Sequence, residues 1–288
     1  MNEFLLRSRI FKKVYDALVE AGMPESRAQL RLADMVKQSR EEFGHLTIEQ
    51  IRKMVYGCRV CYSQDLVTEE GPVPGFGIVD DDGHVDILFI GEMPGISEQK
   101  EGRPFRGTNS EAFRDACKNN NIGSKEIPAY ATNIVCCCPK VEHPKAKQID
   151  NCTAFIDPIV FTLTPNVIVL LGSVALKHFM GKNAKMEDYE KEVLVLGAGY
   201  ICVPLRHPSA LHRIPDDSLR KAAFEEYINQ FAGLVRINNK IKEMQKSGVK
   251  VQLSLEDDPE DMPLKFKWEE KDDDTTIQQD LPDLQEGL

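Results

Sequence analysis

No stretch of this chain approaches the roughly 18 consecutive apolar residues that a membrane-spanning helix needs, so a transmembrane role is not expected. The first twenty residues, MNEFLLRSRIFKKVYDALVE, also lack a continuous apolar core followed by a small-residue cleavage site. Glu3 and Asp16 interrupt them, and an amphipathic helix is expected there instead of a signal peptide. A basic excess is missing as well: 36 Lys and Arg face 46 Asp and Glu, for a net charge of -10. That balance speaks against a broadly basic nucleic-acid binder. Its distribution changes the conclusion. Between Ser254 and Leu288 stand 13 acidic and 3 basic residues, so the tail carries the whole excess and the body is formally neutral. A neutral body still has room for a basic patch in one groove. The tail itself reads as a solvated, flexible end.

What the chain does have is eight cysteines among 288 residues. With no leader expected, they point to a reducing compartment, the cytoplasm, and to metal-binding or packing roles before disulfides. The length suits one domain of about 150 to 200 residues with appendages. The organising stretch runs from Val85 to Gly107, VDILFIGEMPGISEQKEGRPFRG. Its first six residues read as a buried strand, and Gly91, Pro94 and Gly95 then force a loop. Glu92 falls at the strand's carboxyl end, and Pro104, Phe105, Arg106 and Gly107 lie within reach of the same crevice. Such crevices are where α/β folds place their sites.

Around this stretch the periodicity predicts helices at Glu3–Glu20, Ser26–Phe43 and Thr47–Met54, the last with a capping box from Thr47 to Gln50. Further helices are expected at Ser110–Asn119, Lys147–Leu163, Ser173–Met180 and Asp217–Gln245. Strands are expected at Tyr130–Val135, Val167–Leu171, Glu192–Val195 and Gly199–Pro204, giving an α/β sheet of about four or five strands. The stretch Glu69–Asp86, rich in Gly, Pro and Asp, reads as a loop with a short hairpin. Asn133 stands near a strand end, where its carboxamide offers both a donor and an acceptor, a match for an amide or a pyrimidine edge. His207 directly follows the last strand, and Pro208 restricts its backbone, which favours a fixed ring orientation.

Cys58 and Cys61 form a CxxC pair in GCRVC, a weak signal alone. The later Cys136-Cys137-Cys138 run and Cys152 make it informative, with fourteen residues between Cys137 and Cys152. Four thiolates converging from two distant segments suit tetrahedral zinc or an iron–sulfur cluster, and spacing does not choose between them. Cys117 and Cys202 read as small buried hydrophobes.

The ordered set GEMPG at 91–95, GRPFRG at 102–107, TNIVCCCP at 132–139, VIVLLG at 167–172 and HPSALHR at 207–213 resembles the iron–sulfur, family-four type of uracil-DNA glycosylase. The resemblance covers roughly residues 54–230. It implies a three-layer α/β/α sandwich with a central, mostly parallel sheet, and a 4Fe-4S cluster on Cys58, Cys61, Cys137 and Cys152. It implies Glu92 and His207 as catalytic residues, and Gly91, Met93, Phe105 and Asn133 around the base, with Phe105 stacking on uracil and Asn133 reading its edge. It further places Ser209 to Arg213 in the loop that presses on the duplex at the flipped nucleotide.

Three positions depart from the family pattern. Met93 stands where a small residue is common, Gln99 where a second acid is usual, and His212 where an apolar residue is usual. Arg106, Lys140, Arg206, Ser209 and Arg213 are candidates for DNA contact. The expected organisation is an amino-terminal helical extension (1–53), a glycosylase-like α/β domain (54–245) and an acidic tail (246–288). The expected activity is excision of uracil from DNA in base-excision repair. The competing readings are a catalytically weak DNA-binding or assembly module and a glycosylase for another modified base. Expected partners are uracil-containing DNA, no membrane, and a protein docking on the terminal extensions of an otherwise monomeric chain.

Overall fold

The computed structural model describes residues 46–181, 183–190, 192–196, 200–246 and 264–267. The expected helices at Glu3–Glu20 and Ser26–Phe43 lie outside these residues. The described chain opens with α1 (Ile48–Tyr56), entered through the anticipated capping box. Thr47 Oγ1 accepts from the Gln50 N–H at 3.3 Å, and Gln50 Oε1 accepts from the Thr47 N–H at 2.7 Å. The helix buries Ile51 and Val55.

The centre of the molecule is a sheet built from β1 (Phe76–Gly77), β2 (Ile87–Gly91), β3 (Ala129–Asn133), β4 (Val167–Leu171), β5 (Glu192–Leu196), β6 (Tyr200–Leu205) and β7 (Leu264–Lys267). Its order is β1-β3-β2-β4-β6-β5-β7. β3, β2, β4 and β6 run parallel, while β1, β5 and β7 add antiparallel edges. Every residue of β2 and β4 is buried, because helices cover both faces and a strand covered twice needs no polar side.

The strand alternation sorts the core into two layers. Leu88, Ile90, Ile168 and Leu170 point to one face, where they meet α1, α5 (Ile156–Leu163) and α6 (Ser173–Met180) through Ile51, Ile156, Ile159, Leu163, Ala175 and Leu176. Ile87, Phe89, Val167 and Val169 point to the other, against α3 (Glu111–Asn119) and α7 (Asp217–Lys246). There Phe89 stands edge-on to Phe113 at 5.0 Å and stacks on Phe231 at 5.5 Å. The expected α/β/α sandwich is therefore present, with more strands than anticipated. The additional strands, two-residue β1 and four-residue β7, lie at the sheet's edges, and β1 pairs with β3 instead of closing a hairpin within its own loop.

The helix expected over Lys147–Leu163 is also different. It is divided into α4 (Ala146–Cys152), a 3₁₀ turn at Thr153–Phe155, and α5. Pro158 supplies the reason: it has no N–H and clashes inside a continuous helix. Restarting the helix at Ile156 puts Pro158 in a first turn, where no intrahelical donor is required.

At the amino ends of the parallel strands a buried polar group ties α7 to the sheet. Asp86 is 1% exposed. Its carboxylate accepts from Asn238 Nδ2 at 2.9 Å and pairs with the Lys242 ammonium. Asn166 Nδ2 donates to Asn238 Oδ1 at 2.9 Å, and Gln245 Nε2 donates to Asn166 Oδ1 at 2.9 Å. Replacing Asp86 by Ala leaves the Lys242 ammonium and the buried Asn238 amide short of their acceptor. We expect a loss of about 3 kcal/mol or more, read as a lowered urea midpoint with an unchanged m-value.

Candidate active site

The parallel strands end on one side of the sheet, and the chain reverses its direction of travel across the sheet at β2, with β3 on one flank and β4 on the other. The crevice at such a switch point collects loops from several strands. Here Gly91 ends β2 opposite Asn133, the last residue of β3. A Cβ on Gly91 would stand 2.5 Å from Asn133 Oδ1 and 2.7 Å from Phe105 Cζ. Glycine is thus required because an aromatic ring and a carboxamide converge on its α-carbon. This convergence is the floor of the site.

Phe105 is 5% exposed and has φ of 57°, a left-handed conformation that costs a bulky residue on the order of 1 kcal/mol or more. Its surroundings hold it there. The ring stacks on Phe113 at 4.6 Å, and Arg114 Nη1 donates to Phe105 O at 3.0 Å and to Gly107 O at 2.8 Å. Glu98 fastens the same loop from the other side. Its Oε1 accepts from the Gly107 N–H at 2.7 Å, and its Oε2 accepts from the Gly95 N–H and the Ser97 hydroxyl, each at 3.1 Å. A Cβ on either Gly95 or Gly107 would stand 2.8 Å from this carboxylate. Gln99 accounts for one departure from the family pattern. Its Oε1 accepts from Thr68 Oγ1 at 2.6 Å and its Nε2 donates to Gly71 O at 2.8 Å, so one position needs both a donor and an acceptor, which a carboxylate lacks.

His207 follows β6 with its ring centroid 6.2 Å from that of Phe105. The Ser209 N–H donates to His207 Nδ1 at 3.3 Å, so Nδ1 is an acceptor and the proton of the neutral ring resides on Nε2. The Ser209 hydroxyl lies 2.8 Å from the same nitrogen. Burial, aided by the positive charge of Arg213, lowers the His207 pKa to about 4, which keeps the imidazole neutral at physiological pH. Gly172, at φ +88°, admits this loop, since a Cβ there would lie 3.0 Å from His207 Cβ.

Glu92 leaves the end of β2 and meets His143, whose Nδ1 is 3.0 Å from Glu92 Oε1. Met93 packs against the core layer that contains Leu88 and Ile90. His212, another departure from the pattern, is edge-on to Phe224 at 5.4 Å. Three of the candidate phosphate-contacting cations already have acidic partners. Arg106 Nε is 3.1 Å from Glu101, Lys140 pairs with Asp65, and Arg206 grips Glu190 through two bonds of 2.7 and 2.8 Å. These pairs are exposed, and exposed pairs contribute about 0–1 kcal/mol, little enough for a phosphate to displace the acid.

Cys58, Cys61, Cys137 and Cys152 come together from the CxxC segment, the turn after β3 and the end of α4. Each of the first three has a pKa raised mainly by burial and further by the neighbouring thiols, Cys137 up to about 12. Cys136 joins this group through a hydrogen bond with Cys152, whereas Cys138 faces Thr68, Glu70 and Glu98. Among the described residues no three metal-ligating side chains are grouped closely enough to hold a single ion. Three buried thiols and a half-buried one, two of them in CxxC spacing, have the donor chemistry of a thiolate-held metal or iron–sulfur site.

Glu98, Arg114 and His143 are the members of the site that motif reading leaves out. Glu98 has a local signal, since it lies three residues after Gly95, at the capping position of α2 (Ile96–Glu101). The others are brought in by tertiary contacts.

A profile of the Uracil DNA glycosylase superfamily matches residues 77–232. Among curated proteins, a type-4 uracil-DNA glycosylase of Sulfurisphaera tokodaii is 28% identical over 191 residues, covering 63% of this chain and 82% of that protein. Proteins of the same description from Thermotoga maritima and Archaeoglobus fulgidus are 28% and 27% identical, covering 65% and 64% of this chain and 93% and 90% of their own lengths.

Removing the Glu98 carboxylate should loosen the loop pair before it unfolds the protein. In Glu98→Ala, amide hydrogen exchange at Gly95 and Gly107 is expected to accelerate roughly tenfold or more, with exchange in β2 and β4 unchanged.

Proposed function

This chain belongs to the uracil DNA glycosylase superfamily, and from that premise we propose that it excises uracil from DNA by hydrolysing the N-glycosidic bond, the opening reaction of base-excision repair. The observation that carries the reading is the convergence of Phe105 and Asn133 on Gly91, with a neutral His207 beside the aromatic ring. That the curated relatives are themselves described as glycosylases favours excision over a non-catalytic module.

The chemistry follows from the parts. Uracil must leave the base stack to be reached, and a buried pocket with a flat apolar face receives it. Phe105 offers the face. Asn133, with a donor and an acceptor on one carboxamide, pairs with O4 and N3 of uracil. Cytosine presents the reversed pattern there and would leave buried polar groups unmatched, which is a costly outcome. Cleavage transfers the electron pair of the C1′–N1 bond to the base, so negative charge gathers on uracil O2 while positive charge develops on the sugar. The His207 Nε2–H donates to O2 without itself needing to be charged. The Glu92 carboxylate stabilises the sugar cation or orients the water whose oxygen adds to C1′. Gly91 and Met93 complete the walls by backbone approach and core packing. Ser209 serves first to orient His207, while Arg213, Arg106, Lys140 and Arg206 contact phosphates on DNA arrival.

Cys58, Cys61, Cys137 and Cys152 are assigned to a 4Fe-4S cluster, whose contribution is to tie the CxxC segment to the turn after β3. The DNA-facing loops rest on that tie. No helix among the described residues is long and apolar enough to cross a membrane.

Uracil release from single-stranded and mismatched duplex DNA by anaerobically purified protein tests the reading. Asn133→Ala and His207→Ala are each expected to slow release by roughly a hundredfold or more, and absence of release from cluster-loaded wild-type protein would overturn it. The cluster assignment has its own measurement. Cys58→Ala should lose iron and acid-labile sulfide along with absorption near ~400 nm, and retention of all three would exclude Cys58 as a ligand.

A further inference from the structure

We propose that His143 is a positioning residue for Glu92, presented to the reaction centre by the same segment that carries the cysteines. The inference rests on the glycosylase reading and on the role given there to Glu92. Its observation is separate: the imidazole Nδ1 lies 3.0 Å from Glu92 Oε1, although the two residues are 51 positions apart. Glu92 is 20% exposed and His143 62% exposed, so the histidine approaches the carboxylate from the solvent side.

The segment between Cys138 and Gln148 is anchored at both ends on one short piece of chain. On the near side, Pro139 bridges Val67, the Lys140 N–H donates to Leu66 O at 3.3 Å, and the Thr68 N–H donates to Cys138 O at 3.1 Å. On the far side, Gln148 Nε2 donates to the same Leu66 O at 3.0 Å, while Gln148 Oε1 caps α4 by accepting from the Lys145 N–H at 2.8 Å. The residues between, Val141 to Pro144, span from one anchor to the other. Pro144 restricts the backbone of the residue before it, as Pro208 does for His207. Two His-Pro pairs thus each bring an imidazole to the site, His207 beside Phe105 and His143 beside Glu92.

A carboxylate at the end of a strand has free rotation about its own side chain. A donor on one oxygen leaves the second oxygen fixed in direction, aimed at the sugar or the attacking water. The neutral imidazole suffices for this, provided that Nδ1 carries the proton. His143 therefore acts through Glu92 and touches no reacting atom.

The test is single-turnover uracil release by the cluster-loaded full chain, with DNA affinity, iron content and melting temperature measured on the same samples. His143→Ala should lower the rate roughly ten- to hundredfold, with affinity, iron and melting temperature unchanged. His143→Asn places an amide donor near the position of Nδ1 and should recover most of the rate. In a Glu92→Ala background, His143→Ala should cause no further loss. An unchanged rate in His143→Ala, equal losses with and without Glu92, or failure of Asn to rescue would each overturn the inference while leaving the glycosylase reading intact. Wild-type protein that releases no uracil would overturn both.

Discussion

The buried carboxylate of Glu98 is the constraint on which the pocket depends. Three donors converge on it, and two belong to glycines that a side chain would drive away from it. Gly95 sits at the start of α2 and Gly107 ends the loop that bears Phe105, so one side chain fixes the separation of the two walls. Arg114 adds the carbonyl half of the same arrangement by holding the oxygens of Phe105 and Gly107. With donors and acceptors of the loop satisfied in this way, the left-handed backbone at Phe105 persists, and the ring meets Gly91 at van der Waals range. Strain held at a site by surrounding hydrogen bonds favours a pocket shaped before its ligand arrives.

Much of this was readable from the residues alone, and the boundary between readable and unreadable has physical causes. β4 and α6 fall where Pro165, Gly172 and the apolar run between them place them. Gly91, Asn133 and His207 are legible because each stands in a short motif at or just past a strand end, and Phe105 because GRPFRG marks the loop after α2; the structure gathers the four. The break in the helix ahead of Leu163 was missed because apolar periodicity continues through Pro158 while the hydrogen-bond ladder does not. β1, at two residues, is too short to show an alternation, β7 alternates only over the four residues LKFK, and both depend on β3 and β5 offering free edges. The partners of the charged residues were least legible. Lys140 finds Asp65 across 75 positions and Arg206 finds Glu190 across 16, and no local pattern records either.

The cysteine segment and the catalytic face are parts of one covalent stretch. Chain leaving β3 passes through Asn133, the three adjacent cysteines, the anchors on Leu66 and then His143, before α4 delivers Cys152. A group bound among the thiols therefore needs no electron transfer to matter. Bound there, it would hold the segment anchored on Leu66 against the turn that follows β3.

The pairing of Arg106, Lys140 and Arg206 with acids bears on how the chain meets a duplex. An unpaired cation arriving at a phosphate frees a condensed counterion, and the gain grows as salt is removed. If Arg106, Lys140 and Arg206 meet phosphates, each brings its own carboxylate, and the displaced acid would retain a small cation near the DNA, so the contact would release few ions. A contact of that kind would draw the chain only weakly along undamaged DNA and leave the grip to the base that enters the pocket.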